Sequence, residues 1–106
     1  MIKHKMQQIT FHHGKRKIFD GILDTAKQLS MDIIEHDFAN GKIELADGGG
    51  LLSWGNKIEV HIKSSGSSKN TVHVSSRSAA LLQVADWGTN SRIESKLIET
   101  LKENLG

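Results

Sequence analysis

Apolar residues along this chain follow two different spacings, and each spacing predicts a different kind of element. From Gln7 to Phe11 they alternate with polar residues, with Ile9 and Phe11 on one face. Successive side chains of a β-strand point to opposite faces, so this alternation predicts a first strand. From Lys15 to Leu29 the apolar residues recur at helical spacing and form one stripe, which predicts an amphipathic helix lying on a core.

A β-hairpin is predicted in the segment that follows this helix. Two strand-like segments, Ile33 to Phe38 and Lys42 to Ala46, flank Asn40-Gly41. Asn-Gly favours a two-residue type I′ turn because both residues tolerate positive φ, and this turn sets the register of the hairpin. The register predicts one apolar face, formed by Ile34, by His36 opposite Leu45, and by Phe38 opposite Ile43.

Two further strands are predicted after the triple glycine of residues 48–50, which is interpreted as a turn. Their inward-facing residues alternate with polar ones in two groups, Leu52, Trp54, Ile58, Val60 and Ile62, then Val72 and Val74. The serine-rich segment 64–70 is interpreted as the connection between them. Since Ile62 and Val72 share the inward face, an even register places His61 opposite His73 on the outward face.

A second helix is predicted from Ile93 to Leu105, where the apolar residues again form one stripe. Ser91 and Glu94 match the Ser-x-x-Glu capping box, and either Asn90 or Ser91 can cap the helix. The predicted order is therefore β-α-β-β-β-β-α. Each element has one apolar side, so we expect a single α+β domain over residues 1–106, with two helices on one face of an antiparallel sheet of about five strands.

This order of elements resembles the β-α-β4-α arrangement shared by the TATA-binding-protein-like and helix-grip folds. The helix-grip resemblance implies a cavity between the last helix and the sheet, lined by Trp54, Ile58, Trp87, Leu97 and Leu101. Fold alone does not determine function, so the functional expectation depends on individual residues.

The composition of the 106-residue chain narrows the function classes. An apolar share of 37% with 25% charged residues is typical of a folded domain. Cysteine is absent, which excludes disulfides, thiolate nucleophiles and cysteine-ligated metal clusters. The first residues lead into no apolar signal segment, and no apolar run has the length of a membrane span. We therefore expect a cytoplasmic protein with no membrane partner.

Positive charge is concentrated near the beginning of the chain, although the net charge is only +2. Such a cluster can attract nucleic acid through its phosphates. Its candidate residues are Lys3, Lys5, Lys15, Arg16 and Lys17. The outward face of the predicted sheet mixes acids with bases and carries no stacking aromatic residues, so nucleic-acid binding is kept as an alternative to a solvated surface.

Catalytic and metal-binding patterns are weak in this sequence. His61 and His73, with Glu59 nearby, could begin a metal site, but no recognisable spacing supplies a third and fourth ligand. No serine lies in a Gly-x-Ser-x-Gly motif, and the triple glycine lacks the Lys-Ser/Thr of a phosphate-binding loop. Two acid pairs lie on the polar faces of the predicted helices, Asp20 with Asp24 and Glu99 with Glu103. We therefore predict no metal, no cofactor and no enzymatic activity.

The most distinctive segment runs from Gln83 to Glu94 and contains an acid, a tryptophan, a glycine and an asparagine in close succession. Turn and capping chemistry accounts for its Gly88, Asn90 and Ser91, and Trp87 brings the apolar area of a core anchor. The alternative interpretation is an anion site at the N-terminus of the last helix, where backbone amides favour negative charge. The candidate residues of that site are Arg77, Asp86, Trp87, Asn90 and Arg92.

The same region resembles the C-terminal signature of small bacterial proteins of unknown function. In that signature a Ser/Arg-rich strand, here Val74 to Ser78, leads to an Asp-x-Gly-x-Asn turn, here Asp86 to Asn90, and then to a closing helix. The likeness covers the last third of the chain. One residue, Ser91, separates Asn90 from Arg92-Ile93, where the signature is expected to have two. The resemblance implies no catalytic residue, because the family has no assigned activity.

These patterns lead us to expect a non-catalytic domain that binds a partner protein or a small ligand. The first alternative is a nucleic-acid or anion binder that uses the basic N-terminal region and the N-terminus of the last helix. The second alternative is an enzyme that uses the histidines or the corner around Asp86.

Overall fold

A computed structural model describes residues 7–47, 56–66, 68–78 and 89–106. Within these ranges the order of elements is β-α-β-β-β-β-α, as the sequence predicts. The strands are β1 (Gln7–Phe11), β2 (Asp32–Asp37), β3 (Lys42–Asp47), β4 (Asn56–Gly66) and β5 (Lys69–Ser78), and the helices are α1 (Lys15–Gln28) and α2 (Thr89–Leu105). No helix within the described ranges has the length and apolar character needed to cross a membrane.

The strands form one antiparallel sheet in the order β1-β5-β4-β3-β2, which makes β1 and β2 its edges. The inward side chains of the sheet and the apolar stripes of both helices form one core. Its fully buried members include Ile18, Ile22, Ile43, Leu45, Ile58, Val60, Val72, Val74, Leu97 and Leu101. Both helices therefore cover the same face, and this confirms the predicted α+β architecture. The opposite side of the sheet is called the open face below.

The turn between β2 and β3 differs from the predicted two-residue turn. His36 pairs with Ile43 and Asp37 pairs with Lys42, so the loop consists of the four residues 38–41. The predicted pairings of Phe38 with Ile43 and of His36 with Leu45 are therefore wrong, since Leu45 pairs with Ile33. Gly41 takes the positive φ, 63°, and Asn40 donates its backbone amide to Asp37 Oδ1. This side-chain hydrogen bond favours a longer loop than the Asn-Gly dipeptide alone indicates.

A β-bulge in β2 changes which residues of this strand face the core. Ile33 pairs with Leu45 and Glu35 pairs with Glu44, so Ile34 is an extra residue without a partner position on β3. The prediction that Ile34 joins the apolar face is wrong, because the bulge leaves it 53% exposed. His36 keeps an inward position, where its ring lies 6.0 Å from that of Phe19 in α1.

The hairpin of β4 and β5 is longer than the sequence predicts. Ser64 pairs with Asn70 and Gly66 pairs with Lys69, so most of the predicted connection 64–70 belongs to the strands. The predicted pairing of His61 with His73 is confirmed. The residues that flank each histidine are buried in the core. Because successive side chains of a strand point to opposite faces, both histidines lie on the face away from the core.

The last helix begins earlier than the capping box requires. α2 starts at Thr89, so Asn90 and Ser91 lie inside its first turn and neither is the capping residue before it. Glu94 is fully buried, and Gln7 donates its side-chain amide to Glu94 Oε1 at 3.2 Å. Glu94 therefore ties α2 to the edge strand β1. The predicted capping box is wrong because Ser91 lies inside the helix rather than at its N-cap.

The two helices approach each other closely at Gly21 of α1. A Cβ atom on Gly21 would lie 2.8 Å from Leu105 Cδ2, at the end of α2. Nearby, Asn104 donates its side-chain amide to the buried Thr25 Oγ1 at 2.9 Å. The small glycine and this hydrogen bond hold the C-terminal half of α2 against α1.

The cavity implied by the helix-grip resemblance is not formed by the described residues that were expected to line it. Ile58 is 0% exposed, and Leu97 and Leu101 are each 1% exposed, so protein atoms surround all three side chains. Trp54 and Trp87 lie outside the described residues. The helix-to-sheet interface is therefore packed around these three positions.

Candidate binding face

The five candidate residues of the predicted anion site are divided between described elements and a segment outside the described residues. Asp86 and Trp87 lie in such a segment. Arg77 lies in β5, and Asn90 and Arg92 lie in the first turn of α2. Three of the five candidates therefore belong to described elements. The anion site itself stays a prediction.

The basic cluster predicted near the beginning of the chain is divided between different environments. Lys3 and Lys5 lie outside the described residues. Lys15 and Arg16 begin α1 and stack on Phe38 of the β2–β3 loop, with Lys15 Nζ 4.8 Å and Arg16 Cζ 3.9 Å from the ring centroid.

Further contacts hold these two basic side chains on the molecule. Lys15 also donates to the carbonyl oxygen of Ala39 at 3.1 Å, and Arg16 lies 3.5 Å from Asp20. Lys17 borders a groove elsewhere on α1. Lys15 and Arg16 therefore fasten the hairpin loop to α1, and Lys17 does not extend the same cluster.

The groove beside Lys17 lies between α1 and the C-terminal end of α2 and has a volume of about 480 Å³. Its lining residues are Lys17, Asp20, Gly21, Asp24, Gln28, Asn104 and Leu105. It includes the acid pair of Asp20 and Asp24, both of which lie on the polar side of α1 as predicted. Asp20 already has a cationic partner in Arg16 at 3.5 Å. The groove is consequently a shallow space between helices with a mixed polar lining.

Polar side chains of the open face form rows that run across the strands. The central row contains Gln8, His73, His61, Lys42 and Asp37, each the pairing partner of the next. We call it the histidine row. The sheet register alone creates this row, because its members come from all five strands.

Three glutamates form a second row beside the histidine row. Glu35, Glu44 and Glu59 come from β2, β3 and β4 and pair directly with their neighbours. Like charges in directly opposite positions destabilise a sheet. Lys42 Nζ lies 3.7 Å from one oxygen of Glu44, and Lys57 Nζ lies 3.6 Å from the other. The negative charge of Glu44, the middle glutamate of the row, is therefore balanced by a lysine at each of its two oxygens.

The edge strand β2 combines an exposed apolar side chain with acids. Ile34 is the large hydrophobic residue that stands out as exposed among those described, at 53%. Asp32 and Glu35 beside it are exposed, and Asp37 is half-buried. We call these four residues the Ile34 patch. Interfaces between proteins are commonly built in this way, with an apolar centre and a polar rim.

Sequence reasoning missed Ile34 as an exposed residue, although a signal for it exists. Ile33 and Ile34 are adjacent apolar residues in a strand whose other residues are all polar. Only one of them can face the core of a regular strand, so the doublet indicates either a doubly buried strand or a bulge. The edge position of β2 decides in favour of the bulge.

Asp37, at the end of the histidine row, is held by the loop that follows it. Asn40 donates its side-chain amide to Asp37 Oδ2 at 2.6 Å and its backbone amide to Oδ1 at 3.3 Å. Hydrogen bonds to a carboxylate favour its charged form. The side-chain and backbone donors of Asn40 therefore hold the pKa of Asp37 below its ordinary value.

Replacing Asn40 with alanine is expected to raise the pKa of Asp37 toward its ordinary value. The substitution removes the side-chain donor, which contributes most to the lowered pKa, and keeps the backbone donor. An NMR titration of the Asp37 carboxyl carbon measures this change. Asn104→Ala, in α2, is the control and should leave the titration unchanged. An unaltered pKa of Asp37 in Asn40→Ala would show that the loop does not hold the carboxylate through Asn40.

Among the residues described, no group of three or more histidine, aspartate or glutamate side chains is arranged to hold a metal ion. No known protein family matches the chain, and no curated protein matches it significantly. Membership of the bacterial family and the TATA-binding-protein-like resemblance stay predictions for this reason.

Proposed function

We propose that this chain is a non-catalytic binding domain that docks a partner protein through the Ile34 patch. The observation that carries the proposal is the exposure of Ile34 at a bulge on an edge strand. Because Ile34 is 53% exposed, it forgoes roughly half of the free energy that full burial of an isoleucine gains, which is about 1.5–3 kcal/mol. A partner that covers it would recover that free energy on binding.

The chemistry around Ile34 favours one kind of partner. Asp32, Glu35 and Asp37 give the patch a negative rim. Complementary charge steers association and selects among partners, so the expected partner presents an apolar pocket bordered by lysine or arginine. A phosphate backbone would be repelled by the same acids, which favours a protein over a nucleic acid at this site.

The structure of β2 also favours side-chain contacts over strand addition. An edge strand offers unpaired backbone groups to another strand, and a bulge interrupts the regular spacing of those groups. The bulge lies between Ile33 and Glu35, in the middle of β2. We therefore expect the partner to engage the side chains of the patch rather than extend the sheet.

Site-specific photo-crosslinking tests this proposal. A photoreactive amino acid is placed at position 34, and the protein is exposed to light in an extract of the cells that produce it. The control places the same amino acid at position 63, where the exposed Lys63 lies on the open face of β4. We expect an adduct with one basic protein from position 34 and none of that adduct from position 63.

Two matched variants measure the contribution of the patch once that protein is purified. Ile34→Lys should weaken binding by at least about tenfold. The apolar side chain that the partner would cover in the complex is replaced by a positive charge, which a basic partner repels. Glu35→Lys should also weaken binding, whereas Glu99→Lys makes the same charge change on an exposed position of α2 and should not. The free energy of unfolding should change by less than about 0.5 kcal/mol in all three, since the positions are exposed.

Three results would contradict the proposal. The first is equal labelling of the same proteins from positions 34 and 63. The second is an adduct with nucleic acid or with a second copy of this chain alone. The third is a binding constant that Ile34→Lys leaves unchanged.

A further inference from the structure

His61 and His73 lie directly opposite each other on the two longest strands of the sheet. The pairing of β4 with β5 makes them partners, and both project from the open face. Side chains in directly opposite positions of an antiparallel pair have Cβ atoms about 4.5–5.5 Å apart. Two imidazole rings at this separation can turn toward a common point above the sheet.

We propose that His61 and His73 form a two-imidazole binding site for a divalent transition-metal ion. Neutral imidazole is a preferred ligand of copper, nickel and zinc, at nitrogen-to-zinc distances of about 2.0–2.1 Å. Copper(II) should bind most tightly, as it does at nitrogen sites in general. Magnesium and calcium prefer oxygen ligands and should not compete. Water completes the coordination, so the site is open rather than a closed structural one.

The charges around the two histidines are balanced, which allows a dication to approach. Lys42 is the next member of the histidine row, and its ammonium lies 3.7 Å from Glu44. On β4, Glu59 and Lys63 lie two residues before and two residues after His61, on the same face. Two lysines are thus matched by two glutamates in the immediate surroundings.

The site lies in the centre of the sheet and is distinct from the Ile34 patch on the β2 edge. A metal ion held by both rings links β4 to β5 and binds only the folded chain with both ligands in place. Binding should therefore raise the melting temperature as the concentration of copper(II) increases.

The test is a titration of the untagged chain with copper(II) in a buffer that does not bind the metal. Electron paramagnetic resonance of the bound ion should show coupling to two imidazole nitrogens. Amide signals of residues near 61 and 73 in β4 and β5 should be the first to broaden in NMR spectra. His61→Gln and His73→Gln should each weaken binding by at least about tenfold, because one ligand of a chelating pair is lost.

His12→Gln is the matched control, since His12 is exposed, lies outside the sheet face and should leave copper binding unchanged. Spectra of the unaltered chain keep the test decisive if a glutamine variant fails to fold. The proposal is overturned if the bound ion couples to a single imidazole, or if broadening is centred away from residues 61 and 73. It is also overturned if the folded His61→Gln and His73→Gln variants bind copper(II) as tightly as the unaltered chain.

Discussion

Replacing Gly41 with alanine is expected to lower the free energy of unfolding by about 2–4 kcal/mol. Gly41 has a φ of 63°, in the left-handed region that side chains with a Cβ atom rarely adopt. A Cβ atom there would also lie 2.6 Å from the carbonyl oxygen of Ile62, a backbone atom of β4. The clash cannot be relieved by rotating a side chain, so either the loop or β4 has to move.

The position of Gly41 explains why the effect should extend beyond the loop. Ile62 donates its backbone amide to the carbonyl oxygen of Gly41 at 2.8 Å, and Gly41 donates to that of Phe38 at 3.0 Å. The loop between β2 and β3 is therefore fastened to the neighbouring strand by backbone hydrogen bonds. Displacing Gly41 weakens the end of the sheet at which Lys15 and Arg16 of α1 contact Phe38.

Denaturation with urea measures this change, and Gly14→Ala is the matched control. Gly14 precedes α1 with a φ of −71°, and a Cβ atom there would meet nothing within 4 Å. We expect the control to cost at most about 1 kcal/mol, because Gly14 is the N-cap of α1 and alanine is a poorer N-cap residue than glycine. If Gly41→Ala were as stable as the control, the loop could not have the strained conformation and close approach described above.

The order of elements could be predicted because each element buries one face. The apolar residues of that face recur in the sequence at the spacing of a strand or of a helix. The inward residues of β4 and β5 alternate strictly, so the side on which His61 and His73 lie followed from parity alone. A one-residue shift of either strand would have moved the histidine of that strand to the core face. The face on which these two residues lie was therefore among the most strongly determined features of the candidate chemistry, whereas their direct pairing also required the observed register of β4 and β5.

The register of the first hairpin could not be predicted in the same way, because contacts distant in sequence select its loop. Asn-Gly by itself favours a two-residue turn. Here Lys15 donates to the carbonyl oxygen of Ala39, and Arg16 packs on Phe38, so α1 stabilises a four-residue loop. Ile34 was misplaced for a related reason, since a bulge adds one residue to one strand without a strong local signal.

The start of α2 shows how a local motif can be outweighed by a tertiary contact. Ser91 and Glu94 have the spacing of a capping box, in which the glutamate bonds a backbone amide at the helix end. In the structure Glu94 is 0% exposed and accepts a hydrogen bond from Gln7 of β1. Gln7 also accepts a hydrogen bond from Ser95 at 3.3 Å, so the same side chain joins two residues of α2. Polar residues thus join α2 to β1 in a segment where the sequence pattern predicted only the start of a helix.

Replacing Leu101 with alanine is expected to lower the free energy of unfolding by about 2–5 kcal/mol, and this substitution also tests the interior for a ligand cavity. Leu101 is 1% exposed, and its Cδ1 atom lies 3.4 Å from the position that a Cβ on Gly21 would occupy. The side chain therefore fills the space between α2 and α1. Truncating it leaves a void whose walls lose their contacts.

Lys102→Ala is the control, because the next residue along α2 is exposed and its truncation should cost less than about 0.5 kcal/mol. Calorimetric melting of both variants measures the difference. Beside a water-filled cavity of the helix-grip kind, Leu101 would already be partly solvated, and its truncation would cost little more than that of Lys102. A small effect would therefore restore a ligand cavity under α2 as a candidate site, whereas a large one would leave the outer surfaces of the sheet and helices as the places where a ligand can bind.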